Sequence, residues 1–261
     1  MTPAFAATLA LLGFAGAFVS GLVGVGGAIV MIPLLYYVPP LLGLGSLPMR
    51  EVSGVTMVQV LAATAVGAWT HGRHAAVHRR LALTGGVAMA AASLAGALAS
   101  SHLSARALLT VIAVMATVAL PLLAVRPVHV DESAPPADAE FSRPLAVVAL
   151  ALIGAASGLV GAGGAFLTVP VMIALLRLPV RLAIGTSLAV TGMSALTGVL
   201  GKALTAQIPL GPAGAVVLGS LVGAVMGSRV SRGVHVRTLR LVLAGLVALV
   251  AIRVWWDVLA R

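Results

Sequence analysis

Two stretches of this chain, 81–100 and 107–125, run on without a single charged side chain. A helix needs about 20 predominantly apolar residues to cross the hydrocarbon of a bilayer. Inside hydrocarbon no water satisfies the backbone, so only helices or closed barrels survive there. A membrane barrel would alternate apolar and polar residues in segments of about ten. These runs do not alternate, and they predict transmembrane helices.

Composition settles the class. Of 261 residues, 61% are hydrophobic and 8% charged, with a mean hydropathy of +1.15. A soluble domain carries roughly 25% charged residues, and a disordered chain needs low hydrophobicity with high charge. Both are excluded, which leaves an all-α polytopic membrane protein. The net charge of +10 comes from 16 Lys and Arg against 6 Asp and Glu. The arginines cluster between apolar runs, as at Arg73, Arg79 and Arg80, or Arg229, Arg232, Arg237 and Arg240. That placement suits an anionic lipid surface, so the bilayer is the expected partner and nucleic acid is not. The chain has no cysteine, so disulfides and thiolate metal sites are absent. Its six histidines lie at run ends or in loops, and neither a metal nor a cofactor is expected. Residues 1–22 are apolar with no Lys or Arg before them. They lack the charged start of a signal peptide and read as part of the mature fold.

The chain also repeats itself. Ser20–Ala28 reads SGLVGVGGA and Ser157–Ala165 reads SGLVGAGGA, 137 positions apart (157 − 20). Pro33 and Pro170 keep that offset. Arg50…Gly54-Val55-Thr56 aligns with Arg181…Gly185-Thr186-Ser187 at 131 (181 − 50), and the segment from Ser93 aligns with that from Ser220 at 127 (220 − 93). The chain therefore reads as a first membrane repeat over 1–125, an acidic, proline-containing linker over 126–144, and a second repeat over 145–261. Each repeat is predicted as a glycine-broken helical hairpin followed by three long helices. The segment 28–38 would rise roughly 16 Å, about half the hydrocarbon thickness, so the hairpin is expected to return to its own side. Each half then makes an odd number of crossings, and the repeats are inverted. One face collects Arg73, Arg79, Arg80, Arg126, Arg143, Arg177, Arg181, Arg229, Arg232, Arg237 and Arg240. The other keeps Arg50, Arg106, Lys202, Arg253 and Arg261. The richer face is the cytoplasmic one, which puts the linker in the cytoplasm and both termini outside.

The duplicated glycines carry the functional argument. Gly21, Gly24, Gly26 and Gly27, like Gly158, Gly161, Gly163 and Gly164, would each cost a helix about 1 kcal/mol. They are expected to unwind the chain and leave unpaired N–H groups at the start of the next half-helix. Such an end bears roughly half a positive charge and suits an anion. Secondary transporters often bind substrate at paired, discontinuous helices of this kind. The competing reading is that the glycines only let helices pack closely. A dinucleotide fingerprint fails, because Ile29 and Phe166 stand where GxGxxG needs glycine. The helix after each hairpin is the most polar, with Ser53, Thr56, Gln59 and Thr64 in one half and Thr186, Ser187, Thr191 and Ser194 in the other. Neutral donors of this kind can hold an oxyanion without a fixed charge. The candidate substrate-binding set is therefore Gly24, Gly26, Gly27, Thr56, Gln59, Gly161, Gly163, Gly164, Ser187 and Thr191. No catalytic residue is expected. Mid-membrane Asp, Glu or His relays, which proton-driven transporters often use, are not visible.

SGLVGVGGAIVMIP and SGLVGAGGAFLTVP, the latter followed by Gly185-Thr186-Ser187-Leu188, resemble the sulfite exporter TauE/SafE family of bacterial membrane permeases. The resemblance covers nearly the whole chain. It implies a secondary transporter, most simply an exporter, of small sulfur-containing anions such as sulfite or organosulfonates across the inner membrane. It places the family's glycine signature on Gly24, Gly26, Gly27 and Gly161, Gly163, Gly164. Gly54-Val55-Thr56 departs from the usual Gly-Thr-Ser. A passive anion channel or a permease for another small anion is the alternative, and a homo-oligomer is compatible with either. A remote alternative is an intramembrane hydrolase using Ser157, which would need a histidine base within reach. Topology is directly testable in a chain without native thiols. Ser133→Cys should react with an impermeant maleimide only after cells are opened, and Ala260→Cys when the outer membrane alone is permeabilised. Labelling of both from one side would exclude the inverted arrangement.

Overall fold

In a computed structural model of the protein, residues 1–23, 28–71, 77–124, 141–231 and 236–260 are described. The described residues form ten α-helices and one 3-10 turn, with no strand among them. The helices are α1 (Pro3–Val23), α2 (Ala28–Leu41), α3 (Met49–His71), α4 (Arg79–Ala99), α5 (Ala105–Ala124), α6 (Arg143–Val160), α7 (Ala165–Ala174), α8 (Val180–Leu204), α9 (Leu210–Ser231) and α10 (Val236–Ala260). Helices α1, α4, α5, α6, α8, α9 and α10 are long and apolar enough to cross a membrane. The chain is an all-helical polytopic membrane protein. Most of the linker expected at 126–144, like Gly24, Gly26 and Gly27, lies outside the described residues.

Each half supplies five helices, and α2 and α7 are the short ones. With 14 and 10 residues they rise roughly 21 and 15 Å, less than the ~30 Å of hydrocarbon. Helix α3 has 23 residues and carries buried polar residues of the first half. Its polar side chains point inward: Ser53, Thr56, Gln59 and Thr64 are all buried. It lies against α2, α8 and α9, which explains how such a helix is tolerated.

The two halves interlock. Helix α1 lies along α9, α4 along both α6 and α8, α3 against α8 and α9, and α5 against α10. Exchanging each helix for its counterpart five elements away maps this set of pairs onto itself. The crossing of α3 and α8 shows the exchange at atomic detail. A Cβ on Gly67 would lie 3.1 Å from Leu188 Cδ1, and one on Gly198 would meet the thioether of Met57. At the repeat offset of 131 (198 − 67) these are one contact seen from the two halves. Position rises along α3 as it falls along α8, so these counterparts run antiparallel. Helices α1 and α9 run parallel, with Gly13 at Val216 and Gly21 at Ala224.

Glycine lets these helices touch backbone to backbone. Gly219, Gly223 and Gly227, four residues apart, lie against the main chain of Ala10, Phe14 and Phe18, a small-xxx-small seam. This corrects part of the expectation. Gly21 and Gly158 do not unwind the chain: they lie inside α1 and α6, against the backbones of Ala224 and Ser93. The close packing they permit outweighs their helix propensity.

The antiparallel crossing predicts specific cross-links. Gly67→Cys with Leu188→Cys, and Met57→Cys with Gly198→Cys, should each form a disulfide with mild oxidant, since each pair also removes the bulk that a new Cβ would strike. Gly67→Cys with Gly198→Cys, at opposite ends of the crossing, should stay reduced. Gel mobility after proteolytic nicking of the linker would read the difference.

Candidate functional site

Helix α6 stops at Val160 because Gly161 turns left-handed, with φ of +78°. Its N–H donates to Ser157 O at 2.8 Å, and Ala162 N–H donates to the same carbonyl at 3.1 Å. Gly163 (φ +62°) and Gly164 (φ +79°) continue in the left-handed region before α7 begins. Side chains rarely adopt that conformation, at a penalty of roughly 1–2 kcal/mol per residue. Gly164 caps α7 without any side-chain bond to the helix. Its carbonyl accepts from Leu167 N, Thr168 N and Thr168 Oγ1. The first N–H groups of α7 have no intrahelical acceptor, as at any helix start.

The whole break, 161–164, is buried. A Cβ on Gly161 would strike the Ser53 carbonyl. One on Gly163 would meet Val60 and lie 3.4 Å from Thr191 Cγ2. Val60 and Thr191 are counterparts at the repeat offset (191 − 60 = 131), so Gly163 sits where the two halves cross. A Cβ on Gly164 would meet Met89, lie 2.8 Å from Ile153 Cγ2 and 3.5 Å from Ser157 Cβ. Around this point stand buried polar atoms with no hydrogen-bond partner: Ser157 Oγ and Thr191 Oγ1 beside the glycines, and Ser194 Oγ one turn further along α8. Leaving such groups unpaired costs about 1–3 kcal/mol each, a cost that a bound water, ion or ligand would offset.

Of the sequence-predicted residues, the structure brings Gly161, Gly163, Gly164 and Thr191 together. Gln59 is fully buried with both amide atoms unpartnered, and its neighbour Val60 forms the contact to Gly163. Thr56 and Ser187 are different. Their hydroxyls donate within their own helices, to Val52 O at 2.8 Å and Ile184 O at 2.9 Å. Thr186 accepts the His78 N–H at 2.9 Å, tying the start of α4 to α8. Two residues escaped the sequence reading. Ser157 was weighed only as a nucleophile, yet it faces the break. Lys202 was counted among the charges of one membrane face, but its side chain is fully buried. Its Nζ donates to Ser100 Oγ at 2.6 Å, to Leu159 O at 3.0 Å and to Gln207 Oε1 at 3.0 Å. An ionisable residue inside the span Leu182–Leu204, which holds no other charge, was the available signal.

Interlocked helical halves, a buried left-handed break and orphaned hydroxyls around it define a polytopic membrane protein with discontinuous helices. The model of the sulfite exporter TauE/SafE family matches residues 9–254. The chain belongs to that family, which is one of membrane transport proteins. No curated protein matches the chain, and no solved structure does.

The break makes a clear demand on glycine. Gly161→Ala should lower the thermal unfolding temperature in detergent by several degrees, since it adds left-handed strain and a clash with Ser53. Gly192→Ala, whose Cβ would sit 3.8 Å from Thr64 Oγ1, should leave it within about a degree, because that is ordinary van der Waals contact.

Proposed function

We propose that this protein carries small sulfur-containing oxyanions, such as sulfite or organosulfonates, across the bacterial inner membrane, with the anion held where the halves cross. The two repeats are read as inverted, with the linker cytoplasmic. The antiparallel run of α3 against α8 supports that reading. So does the parallel run of α1 with α9, because both follow if each short helix returns its half to the starting side. The binding set is then Gly161, Gly163, Gly164 and Thr191, with Gln59, their counterparts Gly24, Gly26 and Gly27, and Thr56 and Ser187 once these turn their hydroxyls away from their own helices.

One observation carries the proposal. Thr191 Oγ1 and Ser157 Oγ are buried without partners against the glycines that open α7. Hydroxyl donors and the amide end of a helix both suit the charge of an oxyanion. Tight packing around the break favours a carrier that closes over its substrate rather than an open pore. The hydrolase alternative gains nothing, because Ser157 Oγ meets no base among the described residues.

Sulfite flux into proteoliposomes tests the reading. Flux should saturate with concentration. Thr191→Val, which keeps the volume but removes the hydroxyl, should raise the half-saturating concentration roughly tenfold, the size of one hydrogen bond to a charged group. Gln59→Leu should act in the same direction. Non-saturating flux would mark a channel, and wild-type saturation in both variants would move the site elsewhere.

A further inference from the structure

A broken helix presents two ends. The start of α7 offers N–H groups and about half a positive charge, but the end of α6 offers carbonyls and about half a negative one. Only residues 161–164 separate them. For an anion lodged in the gap the two ends oppose each other, and the break alone is a weak anion site.

Two of the last carbonyls of α6 are partnered. Ser157 O accepts from two N–H groups of the turn, while Leu159 O accepts from Ser53 Oγ at 3.2 Å and from the Lys202 ammonium at 3.0 Å. The three N–H groups of Lys202 reach three oxygens, and none of the three carries a formal charge. No described carboxylate lies within ion-pair distance of it; the ion pair among the described residues is Arg253 with Asp257 on α10. Arg50, a further cation of the expected outer face, is exposed and donates to Leu103 O. Burying an ammonium without a counter-charge is costly, and a neutral glutamine, with two N–H donors, could serve two of these bonds without that cost. The charge itself is therefore the feature that needs a purpose.

We propose that Lys202 is the specificity-determining charge of the break at 161–164. It cancels the carbonyl end of α6, so the amide end of α7 dominates the gap and an anion is preferred there. The inference rests on the reading that substrate sits at this break. With its donors all engaged, Lys202 acts through Leu159 and through space rather than by touching the ligand, and is a positioning residue. At the repeat offset its counterpart is His71 (202 − 131 = 71), so the first half has no lysine at this position.

The test is sulfite affinity of the purified full-length protein by titration calorimetry, with unfolding temperature measured alongside. A unit charge on the order of 10 Å from an anion, at an effective dielectric near 20, changes affinity roughly tenfold. Lys202→Gln should therefore weaken sulfite binding about tenfold, Lys202→Arg should restore it to within about threefold, and Ser100→Ala, which trims one bond but keeps the charge, should bind like wild type. If Lys202→Gln does not fold, Lys202→Met with Gln207→Leu removes the charge together with one acceptor and takes the same measurement. Wild-type affinity in a folded, uncharged variant overturns the inference, and so does weakening by Ser100→Ala as large as by Lys202→Gln. Thr191→Val separates this failure from that of the substrate site. If it weakens sulfite binding while the uncharged variant does not, the site stands and only the role of Lys202 falls. If wild type binds no sulfite, or neither variant matters, the site reading fails and the inference falls with it.

Discussion

The structure is organised around one rule of the bilayer: a backbone N–H or C=O in hydrocarbon must find a partner within the protein. The chain obeys it by being helical nearly everywhere, and departs from it in the middle of the bundle, at 161–164. The departure is survivable because the break is walled off. Helices α3 and α8 cross beside it, the Ser53 carbonyl and Val60 close one side, and Met89 and Ile153 close another. The polar character of α3 follows from the same geometry. A helix packed against the break faces protein rather than lipid, and can afford hydroxyls and an amide that an outer helix cannot.

Small residues set how closely the wall can be built. In lipid, helix association gains little from apolar burial, so it depends on packing and close backbone approach. The Gly219, Gly223 and Gly227 seam brings α9 onto α1, and Gly96, Gly154 and Gly158 bring α4 onto α6 in the equivalent way. Glycine thus does two separate jobs within one nonapeptide. Gly158 is a helical residue that admits a neighbour, while Gly161, three positions on, is a left-handed residue that ends the helix.

That division explains what the sequence could and could not disclose. The apolar runs and the duplication were legible, because hydrophobic length and repetition are local properties. So was the approximate position of the break. Its first residue was not, since whether Gly158 unwinds depends on the Ser93 backbone, 65 positions away (158 − 93). Thr56 and Thr191 looked alike as polar residues, yet one hydroxyl is satisfied by Val52 and the other by nothing. Lys202 was misplaced for a similar reason. Near the end of α8, a lysine has the appearance of a residue reaching for the interface, and only the fold shows Ser100, Leu159 and Gln207 gathered around it.

The duplication also bears on why the polar residues are shared so unequally. Where glycine admits a neighbour at the crossing, the halves have stayed alike: Gly67 meets Leu188, and Gly198 meets its counterpart Met57. Several buried side chains have diverged, with Val60 opposite Thr191 and Gln59 matched by Val190, and in the sequence Lys202 corresponds to His71. A point on a two-fold axis receives each side chain twice. Two equal donors there would compete for one small ion, and two buried ammonium groups would repel each other while doubling the desolvation penalty. Pairing a polar with an apolar residue, as Thr191 with Val60 and Gln59 with Val190, avoids the first problem, and a single lysine avoids the second. Symmetry is thus kept in the scaffold, where it preserves the crossing, and broken among these side chains, where repeating each polar group would bring like beside like.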